Sequence, residues 1–109
     1  MGQYHNVYNK TKKEFINAHD IDNGAKLMEQ VGWLKSTSTA LFLLLANSNG
    51  RGGGDAKDHP LIGYWAGDQI VVQGDYAEPD DISFIENESE YKNISKDVKE
   101  MLDAEFEGE

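Results

Sequence analysis

Ala40-Leu41-Phe42-Leu43-Leu44-Leu45-Ala46 is apolar at every position of a helical turn. Leucine and alanine favour helix, Ser36-Thr37-Ser38-Thr39 supplies candidate N-caps ahead of the run, and Asn47-Ser48-Asn49-Gly50 supplies a stop behind it. A helix without a polar side has to be enclosed, so the run predicts a central core helix over 38–46, buried all round. It is far too short to span a membrane. The rest of the chain must therefore provide its cover.

Strand signals lie on both sides of that helix. Residues 3–8 have strand composition, and 12–16 can return against them across Asn9-Lys10-Thr11, with lysines beside Phe15 as suits a sheet edge. Leu61-Ile62-Gly63-Tyr64-Trp65 and Gln69-Ile70-Val71-Val72-Gln73 flank Ala66-Gly67-Asp68, the strongest hairpin signal in the chain. Trp65 and Val71 are expected on one face of that hairpin, Ile70 and Val72 on the other. Ser83-Phe84-Ile85 reads as one more short strand. Asp20-Ile21-Asp22-Asn23-Gly24 offers caps to a short amphipathic helix over 25–31, with Leu27, Met28 and Val31 at helical spacing. A last helix starts near Asn93 or Ser95 and runs to about Glu107. Its stripe of Ile94, Val98, Met101, Leu102 and Phe106 is expected to cover the protein's own core.

Charge is unevenly placed. The net charge is -10; residues 1–74 hold seven acids and seven bases, whereas 75–109 hold thirteen acids and three lysines. A neutral body has no extended basic face for nucleic acid, whereas an acidic third suits a basic partner. There is no cysteine, which excludes disulfides, thiolate nucleophiles and zinc-finger chemistry. Met1-Gly2-Gln3-Tyr4-His5 carries neither the basic nor the apolar region of a signal peptide, and Asn6 stands where a myristoylation motif wants Ser or Thr. A cytoplasmic location follows as the expectation.

Few residues suggest chemistry. Gly50-Arg51-Gly52-Gly53-Gly54-Asp55 must bend sharply or approach something a side chain would exclude. A phosphate loop, however, opens a helix, and this one follows a helix, where the dipole is negative. Arg51, Gly52, Gly53, Gly54, Asp55, Asp58 and His59 are the candidate ligand-binding residues; Asp and His there, with His5 and His19, are competent for a divalent ion. Asp20-x-Asp22-x-Gly24 lacks the remaining ligands of a calcium loop. Asp80 and Asp81 beside Pro79 read as a turn. Tyr4, Tyr8, Trp33, Tyr64 and Trp65 lack the interleaved bases of a single-strand platform, so packing is the better use for them. No residues stand in the pattern of a nucleophile with its base, so no catalytic residue and no cofactor is assigned, and the balance favours a binding protein over an enzyme.

Met1-Gly2-Gln3-Tyr4, the Ser48–Asp55 loop, Gly63-x-Trp65-Ala66-Gly67-Asp68-x-Ile70-Val71 and Gly74-Asp75-Tyr76 together resemble a family of small proteins of phages and bacteria with no assigned activity. The resemblance covers 1–76, implies a compact body and a phage-like setting, and carries no catalytic residue; 77–109 lies outside it.

The expected architecture is one α+β domain: antiparallel hairpins around the central helix, closed by an acidic amphipathic C-terminal helix. The expected function is non-enzymatic: a small acidic phage-type protein in the host cytoplasm that modulates or blocks a host protein with a basic surface, through Asp97, Glu100, Asp103 and Glu105. Carboxylates on a rigid helix occupy a basic groove much as phosphates would. The alternatives are a small-ligand or metal-binding domain, or an enzyme, centred on the glycine loop, and a homodimer that pairs hairpin edges.

Overall fold

The computed structural model describes residues 3–50 and 52–106. Strand β1 (His5–Asn9) returns as β2 (Glu14–Ile16), antiparallel with Val7 opposite Ile16. The Asn9 side chain closes the turn by accepting the Lys12 N–H at 2.8 Å. β3 (Ile70–Gly74) pairs antiparallel with the other side of β1, and β4 (Lys92–Asn93) lies parallel to β2. The result is a mixed four-strand sheet in the order β3-β1-β2-β4, packed with two helices in a compact α+β domain.

The expected edge position of residues 12–16 needs correction. Glu14, Phe15 and Ile16 are all buried, because the acidic third returns along β2: Lys92 N–H donates to the Lys13 carbonyl at 2.8 Å and Ile94 N–H to the Phe15 carbonyl at 3.0 Å. Strand alternation then sorts the side chains by face. Val7, Ile16 and Ile70 join the main core with Ile21, Ala40, Leu44, Trp65, Ile94, Val98, Met101 and Leu102. Tyr8, Phe15 and Val71 form a smaller cluster on the opposite face with Ile85 and Tyr91. Trp65 and Val71 are therefore on different faces, contrary to the hairpin expectation.

Helix α1 (Thr37–Leu45) forms where its caps place it, with Ser36 Oγ accepting the Thr39 N–H and Asn23 Oδ1 accepting the Thr37 N–H at 3.0 Å. It is not enclosed. Only Thr37, Ala40 and Leu44 are buried, one stripe at helical spacing, while Phe42 is 82% exposed. The sheet and one other helix cover a single side of it.

The expected hairpin at 66–68 is also corrected. Its second arm is β3, but the first arm is a chain of turns: Ile62, Tyr64, Ala66 and Asp68 N–H groups bond the carbonyls of His59, Leu61, Gly63 and Trp65. Gly63 and Gly67 stand at φ +77 and +84, which ends any strand there. Their reward is at α1. The Gly63 and Trp65 N–H groups donate to the Leu43 and Leu44 carbonyls, each at 2.9 Å, satisfying the helix C-terminus. A Cβ on Gly63 would lie 2.7 Å from the Ala46 carbonyl oxygen, so only glycine fits.

Two smaller expectations fail for similar reasons. Residues 25–31 hold one 3-10 turn, Leu27–Gln30, whose buried residue is Gln30, donating to the His5 and Ala25 carbonyls at 2.9 and 3.0 Å. Leu27, Met28 and Val31 are exposed. Residues 83–85 are no strand: Ser83 turns the chain at φ +64, and the Gln73 amide clasps Ile85 by its N–H and carbonyl.

Helix α2 (Ser95–Glu105) lays Val98, Met101 and Leu102 into the main core beside Ile94, as the stripe requires, with Phe106 packed at its end. Asn93 Oδ1 accepts the Ser95 N–H at 2.8 Å. The expected end near Glu107 lies outside the described residues. Among the described residues no helix is long and apolar enough to cross a membrane.

Candidate functional site: an acidic cleft on the second face of the sheet

The smaller cluster covers only part of its face. Beside it lies a cleft of about 470 Å³, built by the alternate residues Tyr4, Asn6 and Tyr8 from β1 and its approach, Gln73 and Asp75 from β3 and its exit, and Glu86 and Glu88 from the segment that crosses over them. His19 and Asn17 close one side. The lining holds three carboxylates and neither lysine nor arginine.

Asp75, Tyr8 and Glu88 are held in place by bonds. Asp75 Oδ1 accepts the Tyr4 N–H at 3.0 Å while the Asp75 N–H donates to the Tyr4 carbonyl at 2.9 Å. The Tyr8 hydroxyl donates to Glu88, and its ring stacks on Phe15 with centroids 5.6 Å apart. His19 meets the Tyr4 ring edge-on at 5.8 Å. Glu86 is exposed and has no hydrogen bond or ion pair among the described residues. Preformed carboxylates beside tyrosine rings suit a cationic group, since the acids supply charge-assisted acceptors and the rings a favourable face.

Burial, and then the bond to Glu88, push the Tyr8 hydroxyl up to about 12 from its ordinary 10.0. The fold thus favours neutral Tyr8, so its contribution to stability is whole below pH 10 and is lost as pH rises through 12. Denaturant stability of the wild type is expected to fall more between those limits than that of Tyr8→Phe; parallel curves would remove the assignment.

Asp97 and Glu100 are exposed on α2. Asp103 binds Lys99 at 3.1 Å and Lys35 at 3.2 Å, and these ammonium groups hold its carboxyl below the usual range. Glu105 accepts the Lys57 N–H at 2.7 Å. The four acids are therefore two solvent-facing groups and two that tie α2 to neighbouring segments.

The glycine loop is closed at its base by Asn49, whose amide donates to the Ala56 carbonyl and accepts the Ala56 N–H, both at 2.9 Å. Gly50 and Gly54 stand at φ +85 and +90, and Asp55 accepts the Gly50 N–H at 2.8 Å. Around Gly52, Gly53 and Gly54 nothing lies within 4 Å of where a Cβ would stand. Arg51 lies outside the described residues. Asp58 is exposed, and His59 Nδ1 accepts the Leu61 N–H at 3.1 Å, so His59 caps a turn. Among the described residues no three His, Asp or Glu side chains are grouped to hold a metal ion.

Sequence reasoning missed Asp75, Glu86 and Glu88 as a group, and His19 beside them. Its available signal was the run Tyr4-x-Asn6-x-Tyr8 with Gln73-x-Asp75, polar and aromatic side chains at alternate strand positions and so on one face of the sheet. Comparison with protein-family models, curated proteins and solved structures gives no match to the chain.

Proposed function

We propose that this is a non-enzymatic binding protein that docks on a basic segment of another protein, a lysine or arginine side chain of which enters the cleft between Tyr4, Asp75, Glu86 and Glu88. The observation that carries this is the cleft's lining: three carboxylates and two tyrosines with no compensating cation. The acidic balance of 75–109 adds long-range attraction for such a partner. Occupying a partner's basic surface modulates or blocks whatever else that surface binds, and the resemblance of 1–76 to small phage and bacterial proteins suits a host protein as the target. The exposed Asp97 and Glu100 of α2 are the second candidate surface.

Two charge reversals with the same effect on net charge separate the surfaces. In calorimetric titration with a short arginine-containing peptide, Glu86→Lys should weaken binding about tenfold or more, the loss of one charge-assisted contact, whereas Glu100→Lys should cost about threefold or less. Equal losses would mean diffuse charge attraction without a cleft. A larger loss from Glu100→Lys would move the site to α2.

A further inference from the structure

The outer strand β3 has an unprotected edge. Its register with β1, and the bonds from Asp75 N–H to the Tyr4 carbonyl and from Lys10 N–H to the Gln69 carbonyl, set the phase of the ladder. Residues 69, 71, 73 and 75 direct their backbone groups at β1, so Ile70, Val72 and Gly74 direct theirs outward. Among the described residues only one of these outward groups has a partner, the Gly74 carbonyl, which accepts the Ala77 N–H at 3.1 Å. The strand contains no proline and no charge, the usual devices that keep an edge from pairing.

A small apolar groove adjoins that edge, lined by Val72, Leu27, Val31 and Leu41 with Gln30 and Ser38. Leu27, Val31 and Val72 are exposed there. Edge and groove together form an uncharged face on a chain of net charge -10. A basic partner has nothing to recognise on it. A second copy, repelled elsewhere by its own acids, meets no opposing charge.

We infer that this face pairs two copies of the chain, β3 against β3, antiparallel about a two-fold axis at Val72. The arrangement is self-complementary: Val72 stands opposite Val72 of the second copy and Ile70 opposite Gly74, which forms about four backbone hydrogen bonds between groups unpartnered within one copy and joins the two sheets into one. The two apolar grooves then lie side by side across the axis. The acidic cleft is left open, since Tyr4, Asn6, Tyr8, Gln73 and Asp75 belong to the other face of the sheet.

Sedimentation of the full chain from about 1 µM to about 1 mM should show the 12.2 kDa species give way to one of twice that mass. Over the same range, amide exchange at Ile70, Val72 and Gly74 should slow with concentration. Val72→Pro removes only an outward N–H, a site where an edge strand tolerates proline, and should raise the dissociation constant about tenfold or more. Val72→Lys should do the same through charge and serves if the proline variant fails to fold. Phe42→Lys, on α1 outside the groove lining, should leave it unchanged. A single 12.2 kDa species throughout would overturn the inference. So would a dimer whose β3 amides exchange at a rate independent of concentration, because the copies would then meet elsewhere.

Discussion

Ending the chain at Gln73 will leave it without a cooperative fold. The acidic third removed by that cut places Ile94, Val98, Met101 and Leu102 in the main core, each almost fully buried. Burial of a large apolar side chain contributes roughly 1.5–3 kcal/mol, so the four together contribute about 6–12 kcal/mol. That is comparable to the whole stability of an ordinary domain, about 5–15 kcal/mol. The cut also strips β2 of its bonds to Lys92 and Ile94, and leaves Asn17 N–H without the Ser95 hydroxyl it now meets at 2.7 Å. Circular dichroism and amide chemical-shift dispersion of the truncated chain should show no thermal transition. A sharp transition would mean that 1–73 closes its core without α2. Partner searches are therefore better made with surface charge changes than with deletions.

Trp65→Ala should cost about 3–5 kcal/mol in denaturant unfolding, the range for removing a buried tryptophan or phenylalanine side chain. Trp65 is 0% exposed, and its indole N–H donates to Glu14 Oε1 at 2.9 Å. Glu14 is itself buried, and its other oxygen accepts the Tyr64 hydroxyl at 2.9 Å. One carboxylate thus fastens the turns at 61–67 to β2, and the substitution adds an unmet acceptor to a cavity. Trp65→Phe separates the two effects, since it keeps much of the ring volume and removes the donor. An additional loss of about 1–3 kcal/mol beyond the volume change is expected from an unsatisfied buried carboxylate oxygen. A near-neutral Trp65→Phe would show that Glu14 finds another donor and that packing alone anchors the segment.

The elements that local pattern specifies were legible. The β1–β2 hairpin, the Ser36 cap of α1 and the stripe of α2 are each set by residues near one another in the chain. What failed was set by distant atoms. Gly63-x-Trp65-Ala66-Gly67-Asp68 fits a hairpin turn as well as a chain of turns, and the choice is made by α1 carbonyls about twenty residues earlier in the chain. Asn23-Gly24 reads as a cap for the helix expected over 25–31. Its side chain instead bonds the Ile21 and Lys35 carbonyls and caps α1 at Thr37. Leu27, Met28 and Val31 have helical spacing, yet the Gln30 amide is drawn inward, where it donates to the His5 carbonyl and shares the Ala25 carbonyl with the His5 N–H. The cleft was half legible: strand alternation marks its floor, but nothing local brings Glu86 and Glu88 across it. The glycine loop drew attention by composition, and its open surroundings show how little composition says about contact.

The clasp between Asn49 and Ala56 gives the chain a region where change has little thermodynamic consequence. Helix α1 is capped by Gly63 and Trp65, and the clasp fixes where the loop leaves and rejoins the body, so no core contact depends on Gly52 or Gly53. Lengthening such a closed excursion costs only slowly growing loop entropy. Descendants of this sequence can therefore vary the loop in length and content while the sheet, its cleft and its open edge stay as they are.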